Sequence, residues 1–400
     1  MINPYYTGER FTLYTGDAIE VLSELPSHCV HCVVTSPPYW GLRDYGTGTW
    51  IGGNPTCPHS SGRGNNIPHT KYPTVSYPVS PAHRGGNPQT CHRCGAIRQD
   101  RQYGLEATPE DYISSLRAVF AHLHRILVDT GTVWLNLGDC YSTQPPRNNS
   151  DPPHINAPHR HTTTARQHQS TPTPRTDRTH TLPRKNLLGI PWRVALALQQ
   201  DQWILRNAIV WHKPNAMPES VRDRLSTRYE MLFLLVKQPH YWFDLDPIRQ
   251  SLTRRHTPST IRRHTKSPCE KYSNTSAFAR GLHGSTMRPG HKHTATHPRG
   301  RNPGDMWSIS TRPLRAAHFA PFPIDIPLRA IAAGCPPGET VLDPFSGAGT
   351  TGLAAHHLAH PYIGIDLNPA FHDITITRLA THKHHTTNQH HKKNPDEKAA

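Results

Sequence analysis

The sequence predicts an α/β protein built on a doubly wound, mostly parallel sheet with one antiparallel hairpin, and three observations carry that prediction. Near the start, Phe11-Thr12-Leu13-Tyr14, an apolar helical run from Ala18 to Leu25, and Val30 to Thr35 read as strand, helix, strand. Near the end, Glu339 to Leu342 leads through a glycine-rich turn into a helix opening at Gly352, and Tyr362 to Ile365 is a further strand closing on Asp366. Strands joined by a single helix pair in parallel, and a parallel sheet needs cover on both faces. Between these units, Trp203 to Trp211 and Tyr229 to Lys237 fit an antiparallel hairpin at a sheet edge.

In chain order, the first helix puts Ile19, Leu22 and Leu25 on one face and stops at Pro26. Asp17, which ends the first strand, reads equally as the N-cap of that helix and as a ligand contact on the rim. The second strand runs straight into Ser36-Pro37-Pro38-Tyr39-Trp40. Both prolines lack an N–H and fix φ, so the ladder ends there and the chain turns rigidly. In open α/β sheets, the carboxyl ends of strands are where ligands bind. This turn offers a hydroxyl, carbonyls that no ladder uses and an aromatic face, which suits a flat ring bearing an amino group. The alternative is a proline-terminated strand with a surface Tyr. Thr108 caps a helix with Pro109, Glu110 and Asp111 in its first turn, and Tyr112, Leu116, Val119, Phe120, Leu123, Ile126 and Leu127 form its core stripe. Thr132 to Asp139 is the next buried strand, Pro191 to Leu198 a helix, and Ile326 to Gly334 another with Pro327 at its start.

Composition bounds the rest. In 400 residues, 44 Lys and Arg face 28 Asp and Glu, and the formal charge of +16 points to a polyanion, nucleic acid first. Only 34% is hydrophobic, with 40 Pro and 31 His, so part of the chain is expected not to pack. That part is about 142–185 and 251–303, rich in Pro, Thr, His, Arg and Ser and read as disordered or ordered by a partner. The first ten residues lack a signal pattern and no apolar run reaches membrane length, so no membrane is expected and the location reads as cytoplasmic. The eight cysteines are then reduced thiols or metal ligands. Residues 50–104 form a loop-rich insertion in which Cys57 and His59, with Cys91 and Cys94, supply four ligands for a structural zinc. His69, His83 or His92 can replace His59 in this reading, and free thiols are the alternative. A loop without a core gains most of its order from such a metal.

Asp343-Pro344-Phe345-Ser346-Gly347-Ala348-Gly349-Thr350-Thr351, with Asp366 ending the following strand, has the logic of a nucleotide-type site. Glycines let backbone approach the ligand, and the acid takes a ribose diol. The full Gly-x-Gly-x-x-Gly and the phosphate-loop Lys are missing, which favours an adenosine ligand without a pyrophosphate.

Taken together, these motifs resemble the S-adenosylmethionine-dependent amino-group DNA methyltransferases. Ser36-Pro37-Pro38-Tyr39 resembles the catalytic motif, and Asp343 to Thr350 the cofactor motif. Gly364-Ile365-Asp366 resembles the ribose-binding strand end, Gly16-Asp17 the acid near the adenine, and Pro321-Phe322-Pro323 the segment beside the methionine moiety. Trp211 to Asn215 with Tyr229-Glu230 looks like the hairpin region. The catalytic motif precedes the cofactor motif, the circularly permuted order of the β group, and phage and prophage relatives carry a similar Cys/His insertion.

The resemblance implies a Rossmann-like methyltransferase sheet divided as a catalytic half (1–49), its continuation (105–141 and 186–250), a cofactor half (304–380) and a disordered tail (381–400). It implies S-adenosylmethionine as cofactor and double-stranded DNA as substrate, with a cognate restriction nuclease as a possible partner. Ser36 and the Pro37 carbonyl would accept the N–H groups of the amine, and Tyr39 would stack on a base flipped from the duplex. Ser in the tetrad favours cytosine N4, with adenine N6 as the alternative. A non-enzymatic zinc-bearing DNA-binding module would explain the charge and cysteines but leaves the cofactor turn without a purpose.

Overall fold

Val30 to Val34 is apolar apart from His31, so it belongs in the middle of a sheet covered on two sides, and it lies there. The computed structural model describes residues 2–42, 44–59, 90–142, 182–183, 185–251, 299–312 and 322–391, with side chains to 380. The elements in order are β1 (Tyr6–Thr7), β2 (Phe11–Thr15), α1 (Ala18–Glu24), β3 (Val30–Thr35), β4 (Thr49–Ile51), β5 (Ile97–Gln99), α2 (Pro109–Ile126) and β6 (Leu127–Leu137). They continue with α3 (Ile190–Gln200), β7 (Ile204–His212), β8 (Tyr229–Val236), β9 (Met306–Ser308), α4 (Asp325–Gly334), β10 (Val341–Asp343), α5 (Thr350–His357), β11 (Tyr362–Asp366) and α6 (Pro369–His391). Contacts divide the chain into Met1–Asp244 with Asp305–Ala400, which holds all of these elements, and Leu245–Gly304.

Among the described residues one sheet has nine strands in the order β1-β2-β11-β10-β3-β6-β8-β7-β9, and β4 and β5 pair as a separate ribbon. From β2 to β6 every neighbour is parallel. β8 then pairs antiparallel with both β6 and β7, the expected hairpin. The hairpin does not end the sheet, because β9 adds in parallel beside β7. At the other edge β1 folds back on β2. Strands of two and three residues are too short to show a period.

Helix boundaries follow local chemistry. The Asp17 carboxylate accepts the Ile19 N–H at 2.9 Å and caps α1, and Thr108 caps α2 through Asp111 N–H at 3.1 Å. At α3 the cap comes from another element, since Asp139 Oδ1 accepts the Ile190 N–H at 3.0 Å. The stripe Tyr112, Leu116, Val119, Phe120, Leu123 and Ile126 is fully buried against the sheet. Each such side chain contributes about 1.5–3 kcal/mol. Several boundaries differ from the sequence reading: α2 ends at Ile126 so that Leu127 opens β6, α3 runs from Ile190 to Gln200, α5 opens at Thr350 rather than Gly352, and α6 runs to His391, past residue 380. The expected low-complexity stretches lie mostly outside the described residues, but their flanks pair. Tyr141 bridges Leu187 and Gln250 bridges Arg301.

Candidate active site

β3 and β10 are parallel neighbours, with Cys32 opposite Val341 and Val33 opposite Leu342. The turns that follow them therefore open on the same rim. Thr35 ties the two together, its hydroxyl donating to Asp343 Oδ1 at 2.7 Å. One cleft is lined by Ser36, Pro37, Pro38 and Tyr39 from the first turn and by Asp343, Phe345, Ser346, Gly347 and Thr350 from the second, with Phe322 and Asp366.

Three other predicted residues support the cleft without lining it. Asp17 acts as the helix cap, while its neighbours Gly16 and Ala18 reach the cleft. Gly349 starts α5 at φ 69°, and a Cβ there would lie 2.3 Å from Thr375 Cγ2. Thr351 is buried and donates to Val34 O at 3.1 Å and Asp343 Oδ2 at 2.8 Å.

The two acids differ in duty. Asp343 is buried and accepts Thr35, Thr351 and the Phe345 N–H, and burial pushes its pKa up to about 6 against those bonds. Asp366 accepts the Gly347 N–H and the Asn368 N–H, each at 2.8 Å and one on each oxygen. Burial also raises it to about 6. Each of its oxygens keeps a lone pair for a vicinal diol at the cleft edge. Phe345 and Tyr103 meet edge to face, centroids 5.1 Å apart, giving an aromatic wall. These donors and surfaces fit an adenosine.

The catalytic turn is gripped from outside. Tyr112 Oη donates to the Pro38 carbonyl at 2.9 Å. The Tyr39 hydroxyl donates to Glu230 Oε2 at 2.6 Å and lies 3.0 Å from Asn136 Oδ1. Burial, then the Glu230 charge, holds the Tyr39 pKa well above its ordinary value, so the phenol stays neutral. Gly138 backs its ring, for a Cβ there would sit 2.6 Å from Tyr39 Cε2. Sequence reasoning did not assign Asn136, Gly138 or the lining residues Tyr45, Thr47, Gln102 and Tyr103 to the site. They come from stretches with no motif of their own.

Cys57, His59, Cys91 and Cys94 also converge, all ligand atoms within 4.8 Å of one another. Cys57 and Cys91 sulfurs are 3.9 Å apart, and a tetrahedral zinc-thiolate sphere has S–S edges of about 3.8 Å. Cys94 Sγ lies 3.2 Å from His59 Nδ1, and Trp50 stacks on the His59 ring. His69 and His83 lie outside the described residues. Three thiols this close to an imidazole repel once ionised, so the donor set suits a cation. At the base of the same ribbon, Arg98 bridges Asp44 and Asp100 at 3.1 Å each, Thr47 donates to Asp100 at 2.6 Å, and Gln102 accepts the Tyr45 N–H at 2.6 Å. The ribbon thus carries the part of the cleft wall made by residues 45, 47, 102 and 103.

A doubly wound sheet with a nucleoside-shaped cleft at the carboxyl ends of β10 and β11, and a Ser-Pro-Pro-Tyr turn beside it at the end of β3, defines a group-transfer enzyme of the methyltransferase kind. The family model for DNA methylase, covering N6 and N4 amino-methyltransferases, matches residues 30–377, and the chain belongs to that family. It is 33% identical over 368 residues to the Type II methyltransferase M.Cfr9I of Citrobacter freundii, covering 92% of this chain and 87% of that protein. It is 31% identical to the Type II methyltransferase M.SmaI of Serratia marcescens, covering 92% and 90%. Among solved structures, the PvuII DNA methyltransferase (cytosine-N4-specific) shares the fold at TM-score 0.52 and 14% identity, covering 94% of this chain and 89% of that one.

Proposed function

We propose that this DNA amino-methyltransferase moves a methyl group from S-adenosylmethionine to the N4 amine of cytosine in specific sites of double-stranded DNA. The observation that carries the reading is the shared rim: the Ser36-Pro37-Pro38-Tyr39 turn and the Asp343–Asp366 cleft line one cavity. The cofactor, when bound, supplies a methyl made electrophilic by a sulfonium. The chain supplies position. Asp366 takes the ribose hydroxyls, while Phe345, Tyr103 and Phe322 exclude water around the rest. An exocyclic amine is a weak nucleophile because its lone pair is delocalised into the ring. Ser36 Oγ and the Pro37 carbonyl accept its two N–H bonds and favour a pyramidal nitrogen with its lone pair toward the methyl. The Pro38 carbonyl is taken by Tyr112, so the Pro37 carbonyl is the one left for substrate. In-line transfer then rests on orientation.

The amine lies inside a duplex, so the base must leave the stack, at a cost of a few kcal/mol. The β7–β8 loop, residues 213–228, begins beside the catalytic turn and carries Arg222, Arg224 and Arg228 with strongly exposed Met217 and Leu225. Cations for phosphate and apolar tips for the opened stack support its use on the distorted duplex. The Cys/His centre is proposed to hold a structural zinc. A cognate restriction nuclease is a proposal resting on the type II names of the relatives. No helix among the described residues is long and apolar enough to cross a membrane.

The test is incubation with labelled S-adenosylmethionine and unmethylated DNA, followed by nucleoside analysis. Label in N4-methylcytosine is expected. Label only in N6-methyladenine replaces the base, and label only in RNA or protein sinks the substrate class.

A further inference from the structure

The Ser36 hydroxyl does not end at the cleft wall. Its Oγ lies 3.3 Å from the Tyr39 hydroxyl, positioned to donate to it, and Tyr39 donates onward to Glu230 Oε2 at 2.6 Å. Both hydroxyls border Asn136 Oδ1, at 3.3 and 3.0 Å. The Asn136 amide is oriented by its own donation to Met231 O at 3.1 Å, so its oxygen faces the hydroxyls. The second oxygen of Glu230 pairs with Lys213 Nζ, which also sits 4.5 Å over the Trp211 ring. The line therefore runs in one direction from the substrate edge to a carboxylate held by β8. Asn136 is uncharged and cannot be its terminus.

We propose that Ser36, Tyr39 and Glu230 form the exit path for the proton that the amine must lose. The inference rests on the amino-methyl transfer proposed above. The nitrogen lone pair forms the N–C bond, the C–S bond breaks with its electron pair left on sulfur, and the sulfonium becomes a neutral thioether. The nitrogen, now cationic, gives one proton to Ser36 Oγ. Ser36 gives its own to the Tyr39 oxygen, and Tyr39 gives its own to Glu230. The positive charge brought by the sulfonium and the negative charge of Glu230 cancel, leaving a neutral methylamino base and a neutral carboxyl that releases its proton before the next turnover. Tyr39 never ionises, because it receives a proton as it hands one on. The titratable groups facing Glu230 are Lys213 from the end of β7 and Tyr39, with Tyr112 of α2 beyond the tyrosine. Glu230 acts through two hydroxyls and is a positioning residue.

The experiment is single-turnover transfer from tritiated S-adenosylmethionine to long unmethylated DNA, with cofactor affinity measured alongside, for wild type, Glu230→Gln, Tyr39→Phe and the double variant. Each single variant should slow transfer by roughly 10²-fold, with cofactor affinity unchanged. The double variant should be no slower than the slower single one. Transfer at the wild-type rate in Glu230→Gln, a loss of cofactor affinity that accounts for the slowing, or effects that multiply in the double variant would overturn the relay alone. Wild-type protein that transfers no methyl to DNA overturns the function and the relay with it. Tyr39→Phe leaves the Glu230–Lys213 pair intact, so the test survives an unstable Glu230→Gln.

Discussion

Asp343 and Asp366 show how single residues set the working range of the site. Burial raises both carboxyls to about 6. A folded-state pKa above the unfolded one means that the protein takes up a proton on folding, so this contribution to stability is present at low pH and lost as pH rises through the folded value. The wild type should therefore lose thermal stability relative to Asp343→Asn as pH rises from 3.8 to about 6; melting curves of the pair across that window check it, and a constant difference refutes it. Ligand binding runs the other way. Asp366 accepts a diol best when ionised, so S-adenosylmethionine affinity should fall below pH 6, by at most about tenfold per pH unit, as equilibrium dialysis would show. Gly138→Ala should cut methyl transfer with little effect on cofactor affinity, because the new Cβ meets the Tyr39 ring. At this scale the legible residues were those whose demands are local: prolines that end a ladder, and Gly347 and Gly349 at φ 51° and 69°. Asn136 and Glu230 reach Tyr39 from 97 and 191 positions away; nothing near Asn136 announces it, and the hairpin motif marked Glu230 without giving its partner.

Among elements, the catalytic turn and the β4–β5 ribbon depend on each other. Gly104 has φ 87°, and a Cβ there would lie 2.7 Å from the Tyr39 carbonyl, so the end of the insertion packs directly on the turn. The Gly41 N–H also donates to Gly104 O at 2.7 Å. Gly104→Ala combines strain with a backbone clash and should cost roughly 1–3 kcal/mol in unfolding free energy, measured by denaturant titration. The metal ligands sit at the other end of the ribbon. Purified protein should contain one zinc. Cys91→Ser or strong chelation should weaken S-adenosylmethionine binding, because Tyr45, Thr47, Gln102 and Tyr103 lose the frame that holds them to the cleft. Calorimetry of metal-loaded and stripped protein decides this, and equal affinities would separate ribbon from cleft. The long helices and buried strands were legible from period and caps. β1 and β9 were not, because pairing rather than pattern defines strands so short.

For the molecule as a whole, charge and fold are distributed unevenly. Residues 252–298 carry nine Lys and Arg against Glu270, half of the net excess. Replacing them with a short Gly-Ser turn should leave melting temperature and cofactor affinity unchanged while weakening DNA binding and flattening its salt dependence, by about 0.9 in the log-log slope for each phosphate no longer neutralised. Filter binding over a salt series tests this. The cut is geometrically open because Gln250 and Arg301 exchange two backbone hydrogen bonds, at 3.0 and 2.9 Å. The same closure recurs where Ser142 meets Lys185 and Asn186, while Cys91 and Cys57 approach only through their sulfurs, 3.9 Å apart. Each intervening stretch leaves and re-enters through a sealed doorway. Doubling the length of such a loop adds only about 0.6 kcal/mol of closure entropy. The chain beyond each doorway can therefore be rewritten, lengthened or exchanged at little cost to the chemistry at β3 and β10.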